Sequence, residues 1–291
     1  MALPLVVGVD GSDGSLLAVD WAVDEAQRHG LTLRLIYASL WERYEGALPA
    51  MGRERPSEQV MAENIVGTAA ERVRRYDPSL TVETDTVPAE AVSALLAEGR
   101  HATAVVTGSR GRGELKGALL GSASLAVASR SDCPVVVVRG EKSALSGSRE
   151  RVLLGAGDPD TSGAAVRFAF READIRGCEL DVVRAWRCPA YENADDGAPS
   201  GDPEDQHEQR ASALIDTLVA EAAAEHPGVR LRKTTIEGPA RKVLVHQTAA
   251  ADLVVLGARH RSGHFGLQLG RVTHTLLQHA ACPVAVVPQT T

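Results

Sequence analysis

The sequence predicts an α/β protein built as two tandem, doubly wound domains, each a five-stranded parallel sheet with helices on both faces. Three observations carry this. The chain has 291 residues, roughly twice the common domain length of ~100–150. Its two halves repeat the same residues in the same order. Within each half, short apolar runs alternate with longer segments of helical periodicity, the pattern of a parallel sheet with crossover helices.

The repeat fixes the domains. Gly8, Ser15 and Gly30 recur 147 residues on as Gly155, Ser162 and Gly177. Val105, Val106, Gly108 and the run Cys133-Pro134-Val135 recur 149 residues on as Val254, Val255, Gly257 and Cys282-Pro283-Val284. The expected division is therefore a first domain over residues 1–139, a linker over 140–150 rich in Gly, Ser and charge, and a second domain over 151–291.

Leu5–Val9 is a short apolar strand, and Ser15 to His29 carries apolar residues at Leu16, Val19, Ala22, Val23 and Ala26, a helical spacing closed by Gly30 as C-cap. Leu31–Ala38 reads as the second strand, a helix is expected over Ser57–Arg75, a strand over Thr81–Val87 and a helix over Ala89–Glu98. Ala104–Thr107 is the fourth strand, followed by a glycine-rich loop from Gly108 to Gly121, a helix to about Arg130 and a fifth strand over Pro134–Val138. The second copy places strands near 151–156, 179–185, 229–236, 252–256 and 283–287. Continuous apolar runs such as Val135–Val138 suit strands buried on both faces.

Composition narrows the function. At 44% hydrophobic and 24% charged, the chain is neither disordered nor a disulfide miniprotein. A net charge of −7 and only 3% aromatics argue against nucleic acid and anionic membranes as partners. The first residues, Met1 to Gly8, show no basic leader, and no apolar stretch approaches the ~18 residues of a membrane span. The four cysteines form no C-x-x-C pair and are expected to be buried, reduced thiols. A cytoplasmic location follows as the expectation.

Ligands of doubly wound sheets bind beyond the carboxyl ends of the strands. Asp10 and the loop from Gly108 to Ser124 fall there. Gly108-Ser109-Arg110-Gly111, nine residues, then Gly121-Ser122-Ala123-Ser124 run from a strand end to a helix start. Backbone N–H groups at a helix start, hydroxyls at Ser122 and Ser124, close approach at the glycines, and Arg110, Arg112 and Lys116 would cradle phosphate. A tight strand-to-helix turn needing glycine for geometry alone is the competing reading. Asp10 can accept hydrogen bonds from an adenine or ribose, or cap the turn that follows it, and both can hold together. There is no G-x-x-x-x-G-K-[ST] motif. Gly155-Ala156-Gly157-Asp158-Pro159-Asp160 lacks the third glycine of the dinucleotide fingerprint.

The spacing G-x-x-G-x9-G-[ST] after the fourth strand, with Val9-Asp10-Gly11-Ser12 closing the first, resembles the universal stress protein family over essentially the whole chain, as two tandem copies. The resemblance implies a strand order of 3-2-1-4-5 in each domain, ATP as ligand, with Mg²⁺, and pairing of fifth strands, either within the chain or between copies in a homo-oligomer. Carried over, Gly8, Val9 and Asp10 would meet the adenosine, Ala38 the adenine edge through its backbone, and Thr107 and Gly108 the ribose. Arg110, Gly111, Gly121, Ser122, Ala123 and Ser124 would hold the phosphates. No catalytic residue and no protein-held metal is expected. In the second copy Gly257, Gly270 and Thr273 survive, whereas Gly157, His260 and Arg271 replace Asp10, Gly111 and Ser122.

The second copy's His260, His264, His274 and His279 lack the carboxylate or Cys partners of a metal site, and the acidic run Glu192–Asp205 lacks a calcium-loop order. The expected function is a cytoplasmic ATP-binding stress or dormancy regulator acting through a protein partner, with one ATP per chain. ATP would order the Gly108–Ser124 loop and the loop Trp41–Pro56. A slow ATPase or phosphotransferase, with Glu114 as its one visible base, and a nucleotide-free scaffold are the alternatives.

Overall fold

The computed structural model describes residues 2–40, 57–111, 120–140, 142–188, 203–259 and 269–289. The chain divides into two compact units, with the boundary between Arg139 and Gly140.

The first unit runs β1 (Leu5–Gly8), α1 (Asp13–His29), β2 (Leu33–Ala38), α2 (Ser57–Tyr76), β3 (Val82–Val87), α3 (Ala91–Gly99), β4 (Ala104–Gly108), α4 (Ser122–Arg130) and β5 (Val135–Val138). Its strands lie side by side in the order β3-β2-β1-β4-β5, all parallel, with Gly8 opposite Ile36 and Val7 opposite Val106. β1 and β4 are central because Leu5, Val6, Val7, Val105 and Val106 are apolar in unbroken runs and all are buried. Burial of consecutive residues requires cover on both faces. α1 packs on α2, and α3 packs on α4.

α1 begins two residues earlier than the periodicity suggests. Ser12 adopts extended backbone and its hydroxyl accepts the Ser15 N–H at 3.2 Å, so Asp13 opens the helix. The helix stops at Gly30, whose φ of 62° carries the left-handed turn.

The second unit contains α5 (Lys142–Leu145), β6 (Arg151–Gly155), α6 (Pro159–Arg176), β7 (Glu179–Trp186), α7 (Pro203–Glu225), β8 (Arg230–Glu237), α8 (Ala240–Gln247), β9 (Leu253–Arg259), α9 (Arg271–His279) and β10 (Val284–Gln289). Its strand order, β8-β7-β6-β9-β10, repeats the first unit's. The segment read as a linker carries a helical turn and is tied down. The Arg149 guanidinium donates to the carbonyls of Thr248 and Ala251, and its backbone N–H donates to the buried Asp252 carboxylate at 3.0 Å.

Three of the cysteines are buried, and Cys188 is half-buried. Burial pushes the Cys133 and Cys178 thiols up from their ordinary value. Among the described residues no helix is long and apolar enough to cross a membrane.

Candidate functional site

A cavity of ≈ 320 Å³ opens at the carboxyl edge of the first sheet, where β1, β2 and β4 end. This is the low end of the ~300–1,000 Å³ range of small-molecule sites. The structure brings Gly8, Val9, Asp10, Ala38, Thr107, Gly108, Arg110, Gly111, Gly121, Ser122, Ala123 and Ser124 together in its lining. The position is set by topology. β1 sends its connection to one side of the sheet and β4 sends its own to the other, so the two loops part and leave a crevice.

Asp10 follows β1 in a tight turn. One carboxylate oxygen accepts from the Ser12 backbone N–H at 3.0 Å and from the Ser12 hydroxyl at 2.6 Å. The turn-capping role is thus present, and Asp10 lines the cavity as well. The other oxygen bears on Gly111. A Cβ there would stand 2.6 Å from it, too close for any side chain to leave the carboxylate where it is. A Cβ at Gly108 would run into the Gly14 carbonyl, so β4 and the β1–α1 turn meet backbone to backbone.

The glycine loop is clamped at its base by the Gly121 N–H donating to the Ser109 carbonyl at 2.7 Å. α4 then starts at Gly121 with no side chain capping it, whereas Ser12 caps α1 and Glu90 caps α3. Ser122, Ala123 and Ser124 of its first turn line the cavity, and among the described residues no side chain caps their N–H groups. Such a helix start attracts an anion through its N–H groups and dipole. Arg110 adds a positive charge on the rim. The Ser124 hydroxyl does something other than expected. It is buried and donates to the Gly108 carbonyl at 2.6 Å, fastening α4 to the end of β4.

Five lining residues were not singled out from the sequence: Ser15, Ile36, Tyr37, Ala91 and Leu95. Ala91 and Leu95 are one turn apart on α3, so they share a face. Their spacing was legible, but the strand they cover was not. Arg112, Glu114 and Lys116, the Trp41–Pro56 loop, His260, His264 and most of the acidic run Glu192–Asp205 lie outside the described residues.

The universal stress protein family profile matches residues 1–139 and again 148–288. This chain belongs to the universal stress protein family. A universal stress protein of Mycolicibacterium smegmatis is 31% identical over 288 residues, which is 97% of this chain and 96% of that protein. One from Mycobacterium tuberculosis is 31% identical over 297 residues, with 98% and 97% covered. Among solved structures, a universal stress protein from Archaeoglobus fulgidus aligns with a TM-score of 0.69 over 99% of this chain and 98% of its own, at 16% identity. The last likeness concerns the fold.

Within this family frame the second unit keeps the scaffold of the site. Gly257 lies in β9, Gly270 precedes α9, and Thr273 is buried in its first turn. Thr273 stands where Ser124 does. His274 and His279 lie on α9, away from any carboxylate or thiol grouping found among the described residues.

Proposed function

We propose that the first copy binds an adenine nucleotide, ATP, and that the chain acts as a nucleotide-responsive regulator in stress or dormancy, in the cytoplasm and through a protein partner. The observation that carries the reading is the convergence of Asp10, the Gly108–Gly111 turn and the uncapped start of α4 on one cavity of ≈ 320 Å³. Its walls are largely apolar, with Ile36, Ala91 and Leu95 beside a minority of polar groups. That combination suits a ligand with a flat apolar part and an anionic tail. Asp10, Val9 and Ala38 would hold the adenosine. The N–H groups of Ser122, Ala123 and Ser124, with Arg110, would hold phosphate. Among the described residues Asp10 is the one carboxylate in the lining, and an oxygen of it already serves the Ser12 turn. Mg²⁺ would therefore enter on the nucleotide's phosphates rather than on a protein cage.

Regulation would act at the rim, where a bound nucleotide alters the surface a partner meets. Pairing of fifth strands, within the chain or between chains, belongs to the same proposal. The decisive experiment denatures the purified protein, separates the released small molecules and counts nucleotide per chain. About one ATP per chain supports the reading. No nucleotide, and none gained on adding Mg-ATP, overturns it. Asp10→Ala should weaken binding by about 5–150-fold, corresponding to about 1–3 kcal/mol for a lost hydrogen-bonding partner. Gly111→Glu should abolish it, and circular dichroism should be unchanged in both. Competition among ATP, AMP and cyclic AMP reads how many phosphates the site prefers.

A further inference from the structure

The two units provide an internal comparison. Gly155 pairs opposite Val183 as Gly8 pairs opposite Ile36, and Leu154 opposite Val255 as Val7 opposite Val106. The registers make Leu256 the counterpart of Thr107, Arg184 that of Tyr37, and Ala156 that of Val9.

Thr107 is buried in the wall of the first cavity, and its hydroxyl has no hydrogen-bond partner among the described residues. Leaving such a group unpaired works against folding. In the second unit the position is apolar and larger. A Cβ placed on Gly155 would lie 2.7 Å from Leu256 Cδ2 and 3.2 Å from Leu244 Cδ1. For a Cβ on Gly8 the three nearest atoms all belong to Leu95, the counterpart of Leu244. Leu256 thus packs over the glycine floor. Above it, the Arg184 guanidinium donates to the Ala156 carbonyl at 2.9 Å and lies 3.6 Å from the Asp158 carboxylate.

We infer that residues 107 and 256, aided by 37 and 184, decide which copy is open to a ligand: Leu256 fills the second cleft's floor and Arg184 bridges its rim. Thr107 is the residue that keeps the first cleft deep. This rests on the nucleotide reading of the first copy but makes claims independent of it.

Four variants of the full chain test it. Thr107→Leu, the residue the second copy already carries, should raise the ligand-free melting midpoint and weaken ATP binding by about thirtyfold or more. Thr107→Val removes the hydroxyl without the extra volume and should lose about tenfold less affinity than Thr107→Leu. Leu256→Thr should lower the ligand-free midpoint. The Leu256→Thr/Arg184→Ala double variant should let millimolar adenosine shift the amide resonances of Ala156 and Val183, which should stay still in wild type.

Thr107→Val losing as much affinity as Thr107→Leu would mean that the hydroxyl, not the volume, matters, and would overturn the inference. So would unchanged ATP binding by Thr107→Leu, midpoints moving in the opposite directions, or resonances that stay still in the double variant. If wild type binds no nucleotide, the functional reading fails, and the midpoints and the adenosine shifts still decide this one.

Discussion

Asp10 and Gly111 act as one unit. The sequence shows two separate losses in the second copy, Gly157 for Asp10 and His260 for Gly111. The structure shows why they go together. A side chain at 111 is barred by the Asp10 carboxylate, 2.6 Å from the nearest Cβ position, so once the carboxylate is gone the bar is lifted. Gly111→Ala should therefore weaken nucleotide binding in the wild-type background and cost almost nothing further in an Asp10→Gly background. Isothermal titration of the four proteins gives the cycle, and additive effects would separate the two residues. The motif spacing revealed both residues, but their mutual contact across the crevice required the fold. Ser124 is the opposite case, where spacing suggested a ligand contact and the hydroxyl turned out to fasten α4 to β4. The thiols give a second residue-level test. With Cys133, Cys178 and Cys282 buried and Cys188 half-buried, a thiol reagent on the native protein should modify Cys188 first, as peptide mapping would show.

The helices and strands were largely legible because their signals are local. Gly30 and Gly177 close α1 and α6, and the apolar runs mark the central strands. The misses were at contacts between elements. Nothing in α3 announced that Ala91 and Leu95 would wall a cavity over β1, and the helical turn of α5 lies in a segment whose composition reads as linker. The α1–α2 seam is a further contact of this kind. Arg72 grips Asp20, with the second guanidinium nitrogen at 2.7 Å, and Gln27 donates to Asp77 at 2.6 Å. Asp24 raises the Tyr76 phenol's pKa by its charge and by a hydrogen bond. A raised folded value means this contact stabilises the protein below the phenol's ordinary 10.0 and fades as pH climbs through the folded value. Asp77 runs the other way. Hydrogen bonds from Gln27 and Ser79 lower its pKa, so its contribution is present above the ordinary carboxylate range and is lost as the pH falls through the folded value. Urea midpoints should thus decline at the alkaline end more steeply in wild type than in Tyr76→Phe. At the acid end Asp77→Asn should flatten the decline. Both effects are small, since the groups are exposed.

At the scale of the whole molecule, duplication shows which groups the fold can do without. The second unit repeats the strand order of the first while lacking Asp10's carboxylate and Thr107's hydroxyl, so those groups are dispensable for the architecture. That is why the fold, and the loss of Asp10, Gly111 and Ser122 in the second copy, could be read from the sequence, whereas the packing over Gly8 and Gly155 could not. It depends on which side chains reach over Gly8 and Gly155, and registers alone do not reveal reach. The cavity's placement has a kinetic consequence. Its walls come from the first strand, the second, the fourth and the start of α4, from Gly8 to Ser124, segments distant along the chain. A small molecule seated there would act as a removable staple through most of the first unit, and that unit could not open without shedding it. Saturating ATP should therefore slow global unfolding, measured by denaturant jump, and lengthen survival under protease, while the second unit's amides exchange at their unliganded pace. The cell's nucleotide pool would then set the lifetime of half the molecule.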